Sequence, residues 1–216
     1  VLVLALVVVL SYLAGSIPTS IIIGKIFFDR DPREHGSGNA GGTNAFRVFG
    51  WKAGIAVIIV DVGKGAVASL LISRIGIGGA VPFPSVQLLA GACAVVGHIW
   101  TVFARFRGGK GVGTAAGMLL GIFPIPFAVA AVGFVAAVTT TGWVSAGSIT
   151  AAVLLPVSAW VLPLIGHPLP AVLRYASILF GLLIIFTHRK NIGRIMEGTE
   201  NRFPKLMLLR RRAKSP

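Results

Sequence analysis

A few short stretches hold most of the residue types that can do chemistry. The first reads Gly36-Ser37-Gly38-Asn39-Ala40-Gly41-Gly42-Thr43-Asn44, with Arg47 three residues further on. It formally fits G-x-G-x-x-G, but a dinucleotide fold needs that pattern inside a βαβ unit. Here the flanks are the charged run Asp29 to Glu34 and an apolar helix. Closely spaced glycines still let backbone N–H groups converge on an anion, and an arginine adds a two-pronged contact to phosphate. The competing reading is a flexible glycine-rich turn.

The second stretch is Arg105-Phe106-Arg107-Gly108-Gly109-Lys110-Gly111-Val112-Gly113-Thr114. It departs from a nucleotide-binding P-loop because Gly-Lys is followed by glycine instead of Ser or Thr, so no nucleotide hydrolysis is implied. A Gly-Gly-Lys-Gly turn opening a helix offers N–H groups, the positive end of the dipole and an ammonium to a phosphate. A basic loop that merely anchors the chain to a membrane surface is the alternative. His98, beside Trp100, reads as a packed or hydrogen-bonded histidine more than as a base.

The third stretch is His188-Arg189-Lys190-Asn191-Ile192, with Arg194, Gly198 and Glu200 beyond. His188 and Asn191 are three apart and share a helix face; a stop-transfer anchor is the plainer reading. Ser145 and Ser148 can donate to phosphate oxygens or cap a helix. Asp61 and Lys64, inside an apolar run, are spaced to neutralise one another, and we read them as support more than as catalysts.

The acids limit the chemistry further. There are only six Asp plus Glu, no paired-aspartate motif that suggests a metal site for phosphoryl transfer, no histidine followed five residues on by an acid, and no G-x-S-x-G elbow. Cys93 is the single cysteine, which excludes an internal disulfide and a cysteine-based zinc site. The expectation is therefore a protein with no metal and no cofactor, whose basic loops hold more than one phosphate while an acyl chain lies between helices.

Those loops must be positioned by a membrane bundle. Of 216 residues, 55% are hydrophobic and 12% charged, with a mean hydropathy of +0.88, whereas a soluble domain carries about 25% charged residues. The net charge is +14, with 20 Lys plus Arg, pointing to an anionic partner, an asymmetric membrane, or both. Spans of roughly 20 apolar residues are read at Val1 to Ile23, Ala53 to Ile72, Ser85 to Phe103, Ile149 to Ile165 and Val172 to Thr187. The first is read as a span and not as a cleaved signal peptide, since it lacks a basic leader.

Thr114 to Thr139 could be one span or two, and the positive-inside rule decides. Basic residues number five in 24–52, three in 104–113 and nine from His188 onward. A turn near Pro124 and Pro126 puts all 17 on one face; a single span would separate them. The expected fold is thus an all-α polytopic bundle of seven transmembrane helices, N-terminus outside and C-terminus cytoplasmic. It forms one domain over 1–216, with a short basic tail at about 202–216. Its fourth span, Thr114 to Phe123, is short, about 15 Å as helix. Gly117-x-x-x-Gly121 could pack within the bundle or between copies.

Taken in order, Gly15-Ser16-Ile17-Pro18-Thr19-Ser20, Gly36 to Arg47, Asp61 to Gly65, Gly97 to Thr114 and His188 to Glu200 resemble the PlsY family of bacterial membrane glycerol-3-phosphate acyltransferases, over nearly the whole chain. Ala40 and Gly42 stand where Pro and Ala are usual, and Thr101 where Pro is usual. The resemblance implies transfer of a fatty acyl group from acyl phosphate to the 1-hydroxyl of glycerol 3-phosphate. The products are 1-acyl-glycerol 3-phosphate (lysophosphatidic acid) and phosphate, in the first committed step of phospholipid synthesis. It implies a monomer in the bacterial inner membrane, its active site on the cytoplasmic face, with membrane lipids but no nucleic acid as partners.

By the same resemblance, Ser37, Arg47, Lys110, His188 and Asn191 are the expected catalytic set. Gly38, Asn39, Thr43, Asn44, Gly108, Gly109, Gly111 and Ser145 bind substrate, the glycines through their N–H groups. Asp61, Lys64 and Glu200 give structural support. His188 could act as a base, with an unperturbed pKa of about 6.5, or as a phosphate ligand. Acyl phosphate carries its own basic oxygens, so a substrate-assisted reaction without a covalent acyl-enzyme needs no protein base. The rival reading, a transporter of phosphate or a small organic anion, lacks the two similar halves of an inverted repeat.

Overall fold

The computed structural model describes residues 1–204 and Met207, and the regular elements among them are all helical. The α-helices are α1 (Leu2–Ser16), α2 (Thr19–Phe28), α3 (Gly42–Phe49), α4 (Trp51–Leu70), α5 (Phe83–Ile99), α6 (Val112–Ile122), α7 (Pro124–Thr141), α8 (Val144–Val161), α9 (Ala171–Thr187) and α10 (Arg189–Met196). They fall into two compact units, Val1–Pro124 and the chain from Ile125 on. The basic cluster Arg210 to Lys214 lies outside the described residues.

Five stretches are long and apolar enough to cross a membrane: Leu2–Phe28, Trp51–Gly76, Phe83–Ala104, Pro124–Thr141 and Val144–Ile165. Helices α9 and α10, bent by 57° at their junction, make a sixth if taken together. The protein is thus an all-α polytopic membrane bundle with five to six long apolar helices. Helix α6, with 11 residues, reaches only about 16 Å.

Two breaks have simple causes. The stretch 114–139 divides at Phe123 (φ −132, ψ 60), directly before Pro124, as expected for a residue whose α conformation clashes with the proline ring. The expected span at Val1 to Ile23 is present within Leu2–Phe28, built from two helices, α1 and α2. Ile17 turns to ψ 113 ahead of Pro18, because proline cannot donate the helical hydrogen bond and its ring clashes with the previous turn.

In the first unit the helices turn small and polar residues inward. Helix α4 buries Ala53, Gly54, Val57, Asp61, Lys64, Gly65 and Ala68, a 3.6-residue stripe, and exposes Ile55, Ile58, Ile59 and Val60. Lipid is as apolar as leucine, so helix association there relies on close backbone approach through small residues. A Cβ on Gly15 would strike the Ala94 backbone, and one on Gly97 would strike the Tyr12 carbonyl, so α1 and α5 meet at glycines. Gly65 and Gly117 do the same for α4 and α6, against Thr114 and Val62 respectively, and Gly121 packs on Leu70. The Gly117-x-x-x-Gly121 pattern therefore serves packing inside the unit.

In the second unit α8 packs on α7 and α9 through the same device. Gly147 faces Phe134 and Val138, and Gly181 faces the Ala152 carbonyl.

Candidate active site

The first loop is held by its own asparagine. Asn44, 1% exposed, accepts from the Ser37 N–H at 2.8 Å and donates to the carbonyls of Pro32 at 2.7 Å and His35 at 3.0 Å. Gly38 donates its N–H to the His35 carbonyl and sits at φ +71. The N–H groups of Ser37 and Gly38 are thus spent within the loop. Asn44 was expected among the substrate ligands; the structure gives its amide to the loop, whose turns leave backbone groups only a side-chain amide can satisfy. Ser37 and Asn39 are half-buried and Gly38 is exposed. Thr43 lies in the first turn of α3, where N–H groups have no helical acceptor, and Arg47 in its last turn.

Arg33 links this loop to the next. Its guanidinium forks onto Asp31, with Nη2 to Oδ2 at 2.7 Å, and Nη1 donates to the Ala104 carbonyl at 3.1 Å. The hydrogen bonds from Arg33 hold the Asp31 carboxyl below its usual range.

The second loop caps a helix. Gly108 and Gly109 point their N–H groups at the carbonyls of Ile99 (3.0 Å) and His98 (3.1 Å). A helix leaves its last four carbonyls unpaired, and those of α5 are met one by one. Val96 accepts from the Trp100 N–H, Gly97 from Ser16 Oγ, His98 from Gly109 and Ile99 from Gly108. Tyr12 Oη adds a bond to Trp100 at 2.7 Å. The two glycines are required because a Cβ would run into the His98 carbonyl at Gly108 and the His98 ring at Gly109. Lys110 follows directly, half-buried, and Gly111, in the left-handed region at φ +84, caps α6.

Beneath these loops lies a buried polar node. Asp61, 4% exposed, has Oδ1 2.9 Å from Lys64 Nζ, 3.4 Å from Thr19 Oγ1 and 3.5 Å from His98 Nδ1. Lys64 also donates to the Ile17 carbonyl at 3.0 Å, placing a cation at the end of α1 where the dipole is negative. The spacing identified the Asp61–Lys64 pair; Thr19 and the carboxylate contact of His98 were missed. The signal was there in two ionisable residues and a histidine on apolar runs. Thr101 Oγ1 donates to the Ser16 carbonyl, a bond that proline could not make.

The third segment, in the second unit, is built around Glu200. Its side chain, 5% exposed, receives Ser145 Oγ at 2.9 Å, Asn191 Nδ2 at 2.7 Å and Arg194 Nε at 2.6 Å. Burial pushes the Glu200 carboxyl up, but these three donors outweigh it and hold the group below its ordinary value. Ser145, expected to donate to substrate, donates here to Glu200. Asn191, also expected at the substrate, likewise points an amide N–H at Glu200. His188, 3% exposed, stands at the α9–α10 bend with Nδ1 2.8 Å from the Ile184 carbonyl. That bond keeps a proton on Nδ1, so a neutral ring has its basic lone pair on Nε2.

The glycerol-3-phosphate acyltransferase family model matches residues 5–198. The glycerol-3-phosphate acyltransferase of Chlorobaculum tepidum is 46% identical across 91% of this chain and 94% of its own length. That of Chlorobium phaeovibrioides is 44% identical across 93% and 97%. A crystal structure of PlsY (YgiH), an integral membrane glycerol 3-phosphate acyltransferase, in its glycerol 3-phosphate form is 34% identical. It covers 93% of this chain and 95% of its own, with a TM-score of 0.81. The lysophosphatidic acid form superposes with a TM-score of 0.77. With a match spanning nearly every helix and all three polar segments, this chain belongs to the PlsY family of bacterial membrane glycerol-3-phosphate acyltransferases.

Proposed function

We propose that the protein transfers a fatty acyl group from acyl phosphate to the 1-hydroxyl of glycerol 3-phosphate, releasing lysophosphatidic acid and phosphate. The observation that carries this is the whole-chain likeness to a solved relative in its glycerol 3-phosphate form. The 1-hydroxyl oxygen attacks the acyl carbonyl carbon, the bond from that carbon to the phosphate oxygen breaks, and the hydroxyl proton passes to the departing phosphate. The reaction uses neither a metal nor a covalent acyl-enzyme.

Arg47 and Lys110 neutralise phosphate charge. Ser37, Asn39 and Thr43, with the first-turn N–H groups of α3 and α6, orient the phosphates. Gly108 and Gly109 act by fixing Lys110, Asn44 by fixing the first loop, and Ser145 and Asn191 through Glu200. His188 positions substrate through Nε2. The active domain is the 1–216 chain, a monomer in the inner membrane among its lipids. Counting α6 as a short fourth span gives seven, N-terminus outside, with the site on the cytoplasmic face. What supports that orientation is the gathering of 17 of the 20 basic residues in three segments.

The test supplies purified protein with glycerol 3-phosphate and, separately, acyl phosphate, acyl-CoA or acyl-carrier-protein, and follows product. Only acyl phosphate should support turnover; turnover with the thioesters alone contradicts the donor. A His188→Gln enzyme should lose less than about a hundredfold in kcat with an unshifted pH profile, because general base catalysis is worth 10²–10⁴. A loss of several orders with a shifted profile makes His188 the base.

A further inference from the structure

We propose that His98 is a positioning residue for Lys110, carrying the hold of the buried Asp61 carboxylate into the Gly108-Gly109 turn. The proposal rests on the acyl-transfer reading above and adds to it a residue outside the three loops. His98 meets the neighbouring elements at three points. Its Nδ1 lies 3.5 Å from Asp61 Oδ1 of α4. Its carbonyl accepts the Gly109 N–H at 3.1 Å. Its ring, at Nε2, occupies the space a Cβ on Gly109 would need, and the Ala40 carbonyl of the first loop closes the other side of that space.

The same residue therefore grips the turn by backbone and by ring, one position before Lys110. Asp61 is fixed in its turn by Lys64 and Thr19, so the ring cannot swing without breaking a buried contact. A small cavity lined by Asp61, Lys64, His98, Ala40, Gly108 and Gly109 places this node directly under both loops. A lysine whose backbone is clamped this way presents its ammonium from a fixed point, and such preorganisation acts on substrate affinity and alignment. Lys110 is the group that touches substrate; His98 acts through it.

The amide of asparagine superposes on Nδ1 of histidine and that of glutamine on Nε2, which gives a discriminating pair. In His98→Asn the amide still reaches Asp61; in His98→Gln it does not. We expect His98→Gln to raise KM for a phosphate-bearing substrate at least about tenfold, with kcat within about threefold. Backbone hydrogen exchange across 105–112 should speed up in the same variant. His98→Asn, which keeps the Asp61 contact and the backbone bond and gives up only the packing on Gly109, should show the smaller change in both measurements. Gly109→Ala, which pushes on the ring from the other side, should reproduce the His98→Gln phenotype and serves if that variant does not fold. Equal behaviour of the two His98 variants, or unchanged exchange at 105–112, overturns the role. So does a loss confined to kcat. A wild type without transfer activity overturns the functional reading and this role with it, whereas an active wild type with a silent His98→Gln overturns this role alone.

Discussion

Asp61 and Glu200 are both nearly buried carboxylates that gather three donors, one in each compact unit, yet they hold different kinds of structure. The partners of Asp61 come from α2, from its own helix α4 and from the end of α5. They lie on apolar runs that exchange water for lipid or protein. Those of Glu200 come from the start of α8 and from α10, and they fasten a polar segment after the last apolar helix. The first carboxylate is a rivet between helices that have little hydrophobic drive to associate. The second is a tether whose loss leaves those helices intact. The same chemistry thus produces a global constraint in one unit and a local one in the other.

The largest expected effect breaks the rivet. Asp61→Asn leaves Lys64 buried without its charge partner, which costs about 3–5 kcal/mol, seen as a large fall in melting temperature in detergent. Replacing both partners, Asp61→Leu with Lys64→Met, should recover most of it, since a buried pair is often no better than an apolar one of similar volume.

Breaking the tether costs less. Glu200→Gln loses the charge facing Arg194 but keeps the shape, for about 1.5–3 kcal/mol. Exchange should rise in α10 and the residues after it while α4 and α5 stay protected; a uniform rise would erase the contrast between the units.

pH separates them next. The Glu200 carboxyl lies below its ordinary value in the folded protein, so its contribution is present above the unfolded value of about 4.3 and disappears as pH falls through the folded one. Protection of α10 should be flat from about pH 8 to 5 and fall in stronger acid, and Glu200→Gln should abolish that dependence.

The smallest effect belongs to a neutral donor beside the rivet. Thr101→Ala removes its bond to Ser16 for about 1 kcal/mol, detectable as a small shift in melting temperature.

What could be read from the residues follows how local each interaction is. The apolar runs, the break before Pro124 and the Asp61–Lys64 pair depend on neighbours within a turn or so, and periodicity and spacing expose them. The break at Ile17 was missed because the apolar run hides it, although Pro18 was in view. The role of Gly108 and Gly109 was missed because α5 needs its carbonyls capped by residues some ten positions away. The Ser145–Glu200 bond spans 55 positions, and only packing of the second unit creates it. Gly108, Gly109 and Ser145, all assigned to substrate, also satisfy helix carbonyls or a buried charge.

The central claim is coupled acyl transfer. The most direct measurement incubates the purified protein with acyl phosphate and glycerol 3-phosphate and quantifies lysophosphatidic acid and phosphate together by mass spectrometry and phosphate assay. The account predicts equal amounts of both, strictly dependent on glycerol 3-phosphate. Phosphate release without glycerol 3-phosphate, or no acylated product, would contradict it.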